Sequence, residues 1–204
     1  DVERAVALAP THISHYQLTL EPNTAFAANP PPLPDDDHAW TMQEACEARL
    51  AAAGYGQYEI SAYAQPGRRC AHNLNYWQFG DYLGIGAGAH GKLSDTASGA
   101  VYRRWKTRHP RAYMEAPGGT TRVGGDSVVS AAELPFEYML NALRLVDGVP
   151  MAAFAERTGL PAERIAAALA NARRRGWLHD DPRMLHTTAL GQRFLNDVIA
   201  SFLD

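Results

Sequence analysis

Cys70-Ala71-His72-Asn73-Leu74-Asn75-Tyr76-Trp77-Gln78-Phe79-Gly80-Asp81-Tyr82-Leu83-Gly84-Ile85-Gly86-Ala87-Gly88-Ala89-His90-Gly91 decides how this 204-residue chain is read. The run combines two histidines, an asparagine pair (Asn73, Asn75), the adjacent aromatics Tyr76 and Trp77, and closely spaced glycines. An ordinary core has no use for so many polar and flexible positions together. Glycine lets a backbone approach a ligand closely. Imidazole binds metal or moves protons, and Tyr and Trp offer flat apolar faces with a polar handle. The run therefore reads as the lining of a site for a large, flat, partly polar ligand. His72 and Tyr76 are four apart, so a helical turn would place them on one face.

Within the run, Gly84-Ile85-Gly86-Ala87-Gly88-Ala89 formally fits a dinucleotide fingerprint. That motif needs a following helix whose N-terminus holds phosphate. His90-Gly91-Lys92-Leu93-Ser94-Asp95-Thr96 is a poor helix, so the dinucleotide reading is set aside. Backbone lying close to a flat cofactor and tight strand packing both remain open. His90 is a ligand contact or a cap of the glycine turn. Glu59 is an acid–base group or an ion-pair partner for Arg68 or Arg69.

Outward from this run, His12 to Leu20 alternates and is rich in strand formers. Residues 27–34 form a Pro-rich loop. Asp35 to Asp37 open a helix that runs to about Ala53, with Gly54 as its stop. Tyr58 to Ser61 is a second strand, and strand–helix–strand order points to a parallel α/β unit. Residues 64–81 read as a long polar-aromatic loop with room for one helical turn. Strand pieces follow at 82–85, 89–93 and 101–106, and then a turn-rich linker. Phe136, Leu140, Leu143 and Val146 recur at helical spacing, a short helix covers 151–157, and Pro161 opens another. Trp177-Leu178 and Met184-Leu185-His186 form a hairpin, and Thr188 caps a final helix. Three helices, a hairpin and a helix are the pattern of a winged-helix module.

The net charge of −3 argues against a dedicated nucleic-acid binder. No run approaches the roughly 18 apolar residues of a membrane span. The N-terminus lacks the basic start and apolar stretch of a signal peptide and has no initiator Met, as if cut from something longer. Two cysteines fit a cytoplasmic chain better than a disulfide-stapled one. Cys46, on an apolar helix face with Ala39, Met42, Leu50 and Ala53, is expected buried, and Cys70 exposed in its loop. Arg103, Arg104, Lys106 and Arg108 are a solvated basic run or, because paired arginines recognise carboxylates, a propionate contact. Arg173-Arg174-Arg175 invites a DNA reading. From residue 130 onward, however, eight Lys and Arg stand against nine Asp and Glu.

His72-Asn73-Leu74-Asn75-Tyr76-Trp77 resembles the His-Asn-x-x-Tyr-Trp run of the radical-SAM proteins related to oxygen-independent coproporphyrinogen III oxidase, in their heme chaperone branch. Tyr16 to Thr24 is similar to the last barrel strand of that family, Tyr58 to Gly91 to its segment beside the active site, and residues 130–204 to its C-terminal domain. The resemblance implies an α/β fold: the C-terminal remnant of a partial radical-SAM (β/α) barrel with its strand extension (1–109), a linker (110–129), and a mainly helical, winged-helix-like domain (130–204). It implies heme or porphyrin contact by His72, as ligand to the iron, with Asn73, Tyr76 and Trp77 around it. It places cofactor contacts at Gln17, Thr19 and His90, and close backbone approach at Gly84 and Gly86. The full-length protein would carry a 4Fe-4S cluster and S-adenosyl-L-methionine, and would pass heme to a heme-accepting protein. The family's Cys-x-x-x-Cys-x-x-Cys motif is missing here. A cluster needs at least three thiolates in one loop, and Cys46 and Cys70 lie far apart. The expectation is a cytoplasmic, C-terminal fragment without radical chemistry, nucleic acid or integral membrane segment. The rival activity is coproporphyrinogen III oxidation by the full-length protein, and the third reading is a winged-helix DNA-binding module.

Overall fold

A computed structural model describes residues 1–203; Asp204, the end of the expected helical domain, lies outside the described residues. The chain is a mixture of helix and open sheet, divided into two compact units, Asp1–Cys70 and Ala71–Asp204. Among the described residues none of the sheets closes into a barrel. No helix among the described residues is long and apolar enough to cross a membrane.

The first unit runs α1 (Val2–Ala7), β1 (His12–Ser14), α2 (Ala25–Ala28), α3 (Asp36–Ala52), β2 (Gly56–Glu59) and β3 (Ala62–Ala64). α3 forms where local signals place it. The Asp35 carboxylate accepts from His38 N–H at 2.9 Å, and Asp36 and Asp37 put negative charge in the first turn. The parallel unit expected from strand–helix–strand order is corrected. β1 and β2 do run the same way, but β3 enters between them and every pairing is antiparallel. β3 follows β2 through a tight turn, and a short hairpin forms at less entropic cost than a crossover. The long first strand is also corrected, since it ends at Ser14. Leu50, Tyr55 and Tyr63 form the core of this unit, with Val2, Val6, Ile13 and Ala53 against it. Met42 is exposed, off the face on which Leu50 is buried. Both cysteines are half-buried and unbonded, neither as hidden nor as open as expected. Glu59 is buried and accepts from Ser61 Oγ at 3.3 Å, while Arg69 lies over the Tyr58 ring.

The second unit begins with α4 (Ala71–Trp77), the sheet strands β4 (His90–Ser94) and β5 (Val101–Lys106), α5 (Pro110–Glu115) and β6 (Val123–Val129). β4, β5 and β6 form an antiparallel sheet in that order. β6 arises in the stretch read as turn-rich linker. Its glycines carry no strand signal, yet a Cβ on Gly125 would stand 2.4 Å from the Trp105 ring, so the strand needs glycine to pass under the indole. Helices α6 (Leu134–Ala142), α7 (Ala152–Thr158) and α8 (Ala166–Arg174) follow, with β7 (Val149–Pro150) before α7. β8 (Met184–Leu185) pairs with β7, and a single bridge joins Leu178 to Thr187. The expected hairpin is thus present but gains a third segment from a distant loop. Thr188 caps as expected, accepting from Gly191 N–H at 3.0 Å. The last helix breaks at Phe194 into α9 (Ala189–Arg193) and α10 (Leu195–Ala200). Aromatic edge contacts run through the core of this unit from Phe79 to Tyr138 (5.5 Å) and on to Phe154 (5.3 Å).

Candidate functional site

α4 carries the His-Asn-Leu-Asn-Tyr-Trp run, and the i, i+4 spacing does place His72 against Tyr76. Their ring centroids are 4.7 Å apart at 74°, edge to face. The His72 side of the helix is open to solvent, whereas Asn73, Tyr76 and Trp77 are half-buried. The Tyr76 ring rests in turn on Tyr82, with centroids 4.1 Å apart. Tyr82 Oη accepts from Arg103 Nη1 at 2.9 Å, and Arg103 Nη2 donates to Glu137 Oε2 on α6. Burial raises the Tyr82 phenol above its ordinary pKa, although the Arg103 charge opposes the rise. Trp77 lies under the Arg144 guanidinium, 5.1 Å from its ring centre.

Beyond Tyr82 the chain enters the sheet. Residues directly opposite in an antiparallel pair share a face. His90 faces Trp105, and Lys92 faces Arg103, so all four belong to one side of the sheet. The His90 ring stacks on Trp105 at 6.3 Å and 29°. Tyr82 bridges Lys92 through both backbone bonds, 2.9 and 3.0 Å. Gly84 then passes so close to β4 that a Cβ there would meet His90 O at 2.4 Å. Of the two readings of the glycine run, the geometry at Gly84 is tight strand packing. A strand, not a helix, follows it, which removes the dinucleotide reading. Gly86 has φ +108°, and its N–H donates to Tyr113 Oη at 3.3 Å. Leu83 and Ile85, on either side of Gly84, are strongly exposed.

Asn75 and Asp81 hold the turn after α4. Asn75 Nδ2 donates to Asp81 O at 2.9 Å, and the Asp81 carboxylate accepts from Lys92 Nζ, Ser94 N–H and Ser94 Oγ. Lys92 is fully buried, its ammonium 4.2 Å from the Phe79 ring centre. Sequence reasoning passed over Lys92, Tyr82 and Glu137 as parts of the site. The alternation in His90-Gly91-Lys92 marks Lys92 as sharing the face of His90, which was the available signal. Gln17 and Thr19 lie in the first unit on exposed coil beyond β1. Arg104 pairs with Asp126 at 2.9 Å, so two of the four cations in the basic run are engaged by carboxylates.

Two half-buried cysteines do not fit a 4Fe-4S cluster, which requires three thiolates. Among the described residues no three His, Cys, Asp or Glu converge as a metal site. A single exposed imidazole beside an aromatic wall does fit contact with a porphyrin iron, where one histidine nitrogen suffices.

Residues 129–194 match the HemN C-terminal domain. The whole chain is 45% identical over 203 residues to the heme chaperone HemW of Escherichia coli (strain K12), covering 52% of that protein. It is 42% identical to the heme chaperone HemW of Haemophilus influenzae over 203 residues, again covering 52% of the relative. It is 30% identical to that of Bacillus subtilis over 207 residues, covering 53%. In fold it resembles the radical SAM enzyme coproporphyrinogen III oxidase (HemN) from Escherichia coli, with a TM-score of 0.71 and 16% identity over 98% of this chain and 50% of that one. The chain spans about half the length of the curated relatives it matches. Similarity to the HemW heme chaperones is thus sustained along all of this chain, and residues 129–194 within it match the HemN C-terminal domain.

Proposed function

We propose that this chain supplies the heme-contacting surface of a heme chaperone, which holds heme as cargo and releases it to an acceptor protein. The observation that carries the reading is the exposed imidazole of His72, set edge-on against Tyr76 on α4. The relatives' heme chaperone activity supports it. A neutral imidazole nitrogen ligates iron, and the Tyr76 ring offers the porphyrin an apolar wall. One ligand on an open surface suits a carrier, because the opposite face of the heme stays free for the acceptor's own ligand. Asn73 and Trp77 sit on the same short helix and complete the contact set. His90, on its Trp105 platform, is a further flat surface for the macrocycle. Gln17 and Thr19 belong to the S-adenosyl-L-methionine part of the reading, and no step here runs through that cofactor or through a cluster. A cytoplasmic location belongs to the proposal, in keeping with two unbonded thiols.

Hemin titration tests the reading. The Soret band should shift on binding, with affinity at least tenfold weaker in His72→Ala and within twofold of the parent in His109→Ala, an exposed histidine outside the motif. Equal losses in both variants would mean adventitious binding and overturn it. Transfer is tested by adding an apo-globin, which should strip the bound heme.

A further inference from the structure

Arg103 stands where three elements meet. From β5 its Nη1 donates to Tyr82 Oη, and its Nη2 to Glu137 Oε2 on α6, inside the HemN C-terminal domain. Tyr82 packs on Tyr76, and Tyr76 on His72. A continuous line of contacts therefore runs from the helical domain to the exposed imidazole.

We infer that Arg103, held by Glu137, is the positioning residue of the heme-contacting face: it clamps Tyr82, which sets Tyr76 and through it the ring of His72. The inference rests on the reading of His72 as the heme contact. α4 has only seven residues, too few to be stable on its own. Its orientation must come from tertiary contacts. The Tyr82 backbone is fixed by its two hydrogen bonds with the Lys92 backbone, so the remaining freedom lies in the ring. A guanidinium removes that freedom because its donors form a rigid planar fork. One arm of the fork takes the carboxylate and the other the phenol. The bonds are charge-assisted and half-buried, hence stronger than neutral surface bonds. The helical domain thereby acts on the face at a second point besides the Arg144–Trp77 contact, since Glu137 holds the arginine that orients the wall.

The competing account makes the Arg103–Glu137 pair a simple brace between sheet and helix. Arg103→Lys separates the two. Lysine keeps the charge opposite Glu137 but cannot serve both acceptors in a fixed fork. Tyr82→Phe removes only the clamped hydroxyl and leaves the ring stack. Hemin affinity and melting temperature are measured for both variants, for the double variant, and for each in the His72→Ala background. Each single variant should bind hemin about three- to tenfold more weakly, with melting within about 4 °C of the parent. The double variant should be no weaker than the worse single, because both break one link. In the His72→Ala background neither should have a further effect. Affinities within twofold of the parent, where His72→Ala itself weakens binding, overturn the positioning role alone. So do losses that persist without His72, or that appear only alongside lower melting. If His72→Ala leaves affinity unchanged, the heme-contact reading fails and takes this inference with it.

Discussion

Lys92 Nζ lies 2.8 Å from Asp81 Oδ1, an ammonium wholly removed from water and matched by a carboxylate that is still 42% exposed. Ser94 Oγ at 3.3 Å and the face of Phe79 complete its surroundings. The pair ties the turn after α4 to the middle of β4, so the sheet and the candidate wall share one electrostatic anchor.

Removing one partner of a buried pair leaves an uncompensated charge, at a cost of about 3–5 kcal/mol. Here Asp81 is half in water, so Asp81→Asn should destabilise by the lower part of that range or slightly less, about 2–3 kcal/mol. Lys92→Met keeps the stem over Phe79 and deletes the charge, and should cost less than Asp81→Asn. Chemical denaturation of the two variants checks the order. A milder effect for Asp81→Asn would show that Lys92 has another counter-charge.

Acid should release this anchor. Burial pushes the Asp81 carboxyl up, but the bonds from Lys92 and Ser94 outweigh it and hold the group below its ordinary pKa. Burial likewise lowers the Lys92 ammonium, against the pull of Asp81. A carboxylate with a depressed folded pKa contributes stability that is complete above its unfolded value and lost as pH falls through the folded one. Melting temperature should therefore drop below about pH 4, the ordinary aspartate range, and less steeply in Asp81→Asn. Parallel acid profiles for parent and variant would assign the acid sensitivity to other carboxylates.

Gly84 should not accept a side chain. A Cβ would sit 2.4 Å from His90 O, a backbone atom that moves only if β4 moves. Gly84→Ala should cost more than about 1 kcal/mol, whereas Gly56→Ala, whose Cβ would meet only ordinary contact at 3.9 Å, should stay within about 0.5 kcal/mol. Thermal melting of the two variants measures the difference.

The helical domain should not select a DNA sequence. Eight Lys and Arg against nine Asp and Glu from residue 130 leave no surplus cations for phosphates. Arg173 donates to Asp181 O at 2.8 Å, and Arg175 lies over Trp177. A gel shift with duplex DNA should show no selective complex. A salt-sensitive, sequence-selective shift would restore the winged-helix DNA reading.

Local chemistry was legible in the sequence. Asp35 and Gly54 bracket α3, Thr188 opens α9, and the i, i+4 pair His72 and Tyr76 meets on α4, because each signal acts within a turn or two of the chain. The resemblance to the HemW heme chaperones was legible for the same reason, carried by six adjacent residues. Sheet partners were not: β3 inserts between β1 and β2, and β6 forms from a glycine-rich stretch that passes under the indole of Trp105 across the sheet. Likewise, nothing in the spacing of Asp81, Lys92, Arg103 and Glu137 pairs them. The sequence by itself determined the limits of α3, the start of α9, the polar-aromatic run and the absence of a cysteine triad. Only the tertiary structure decided which face Lys92 and Arg103 share and which carboxylate answers each, since those matches depend on strand register and burial, which form only when distant segments pack.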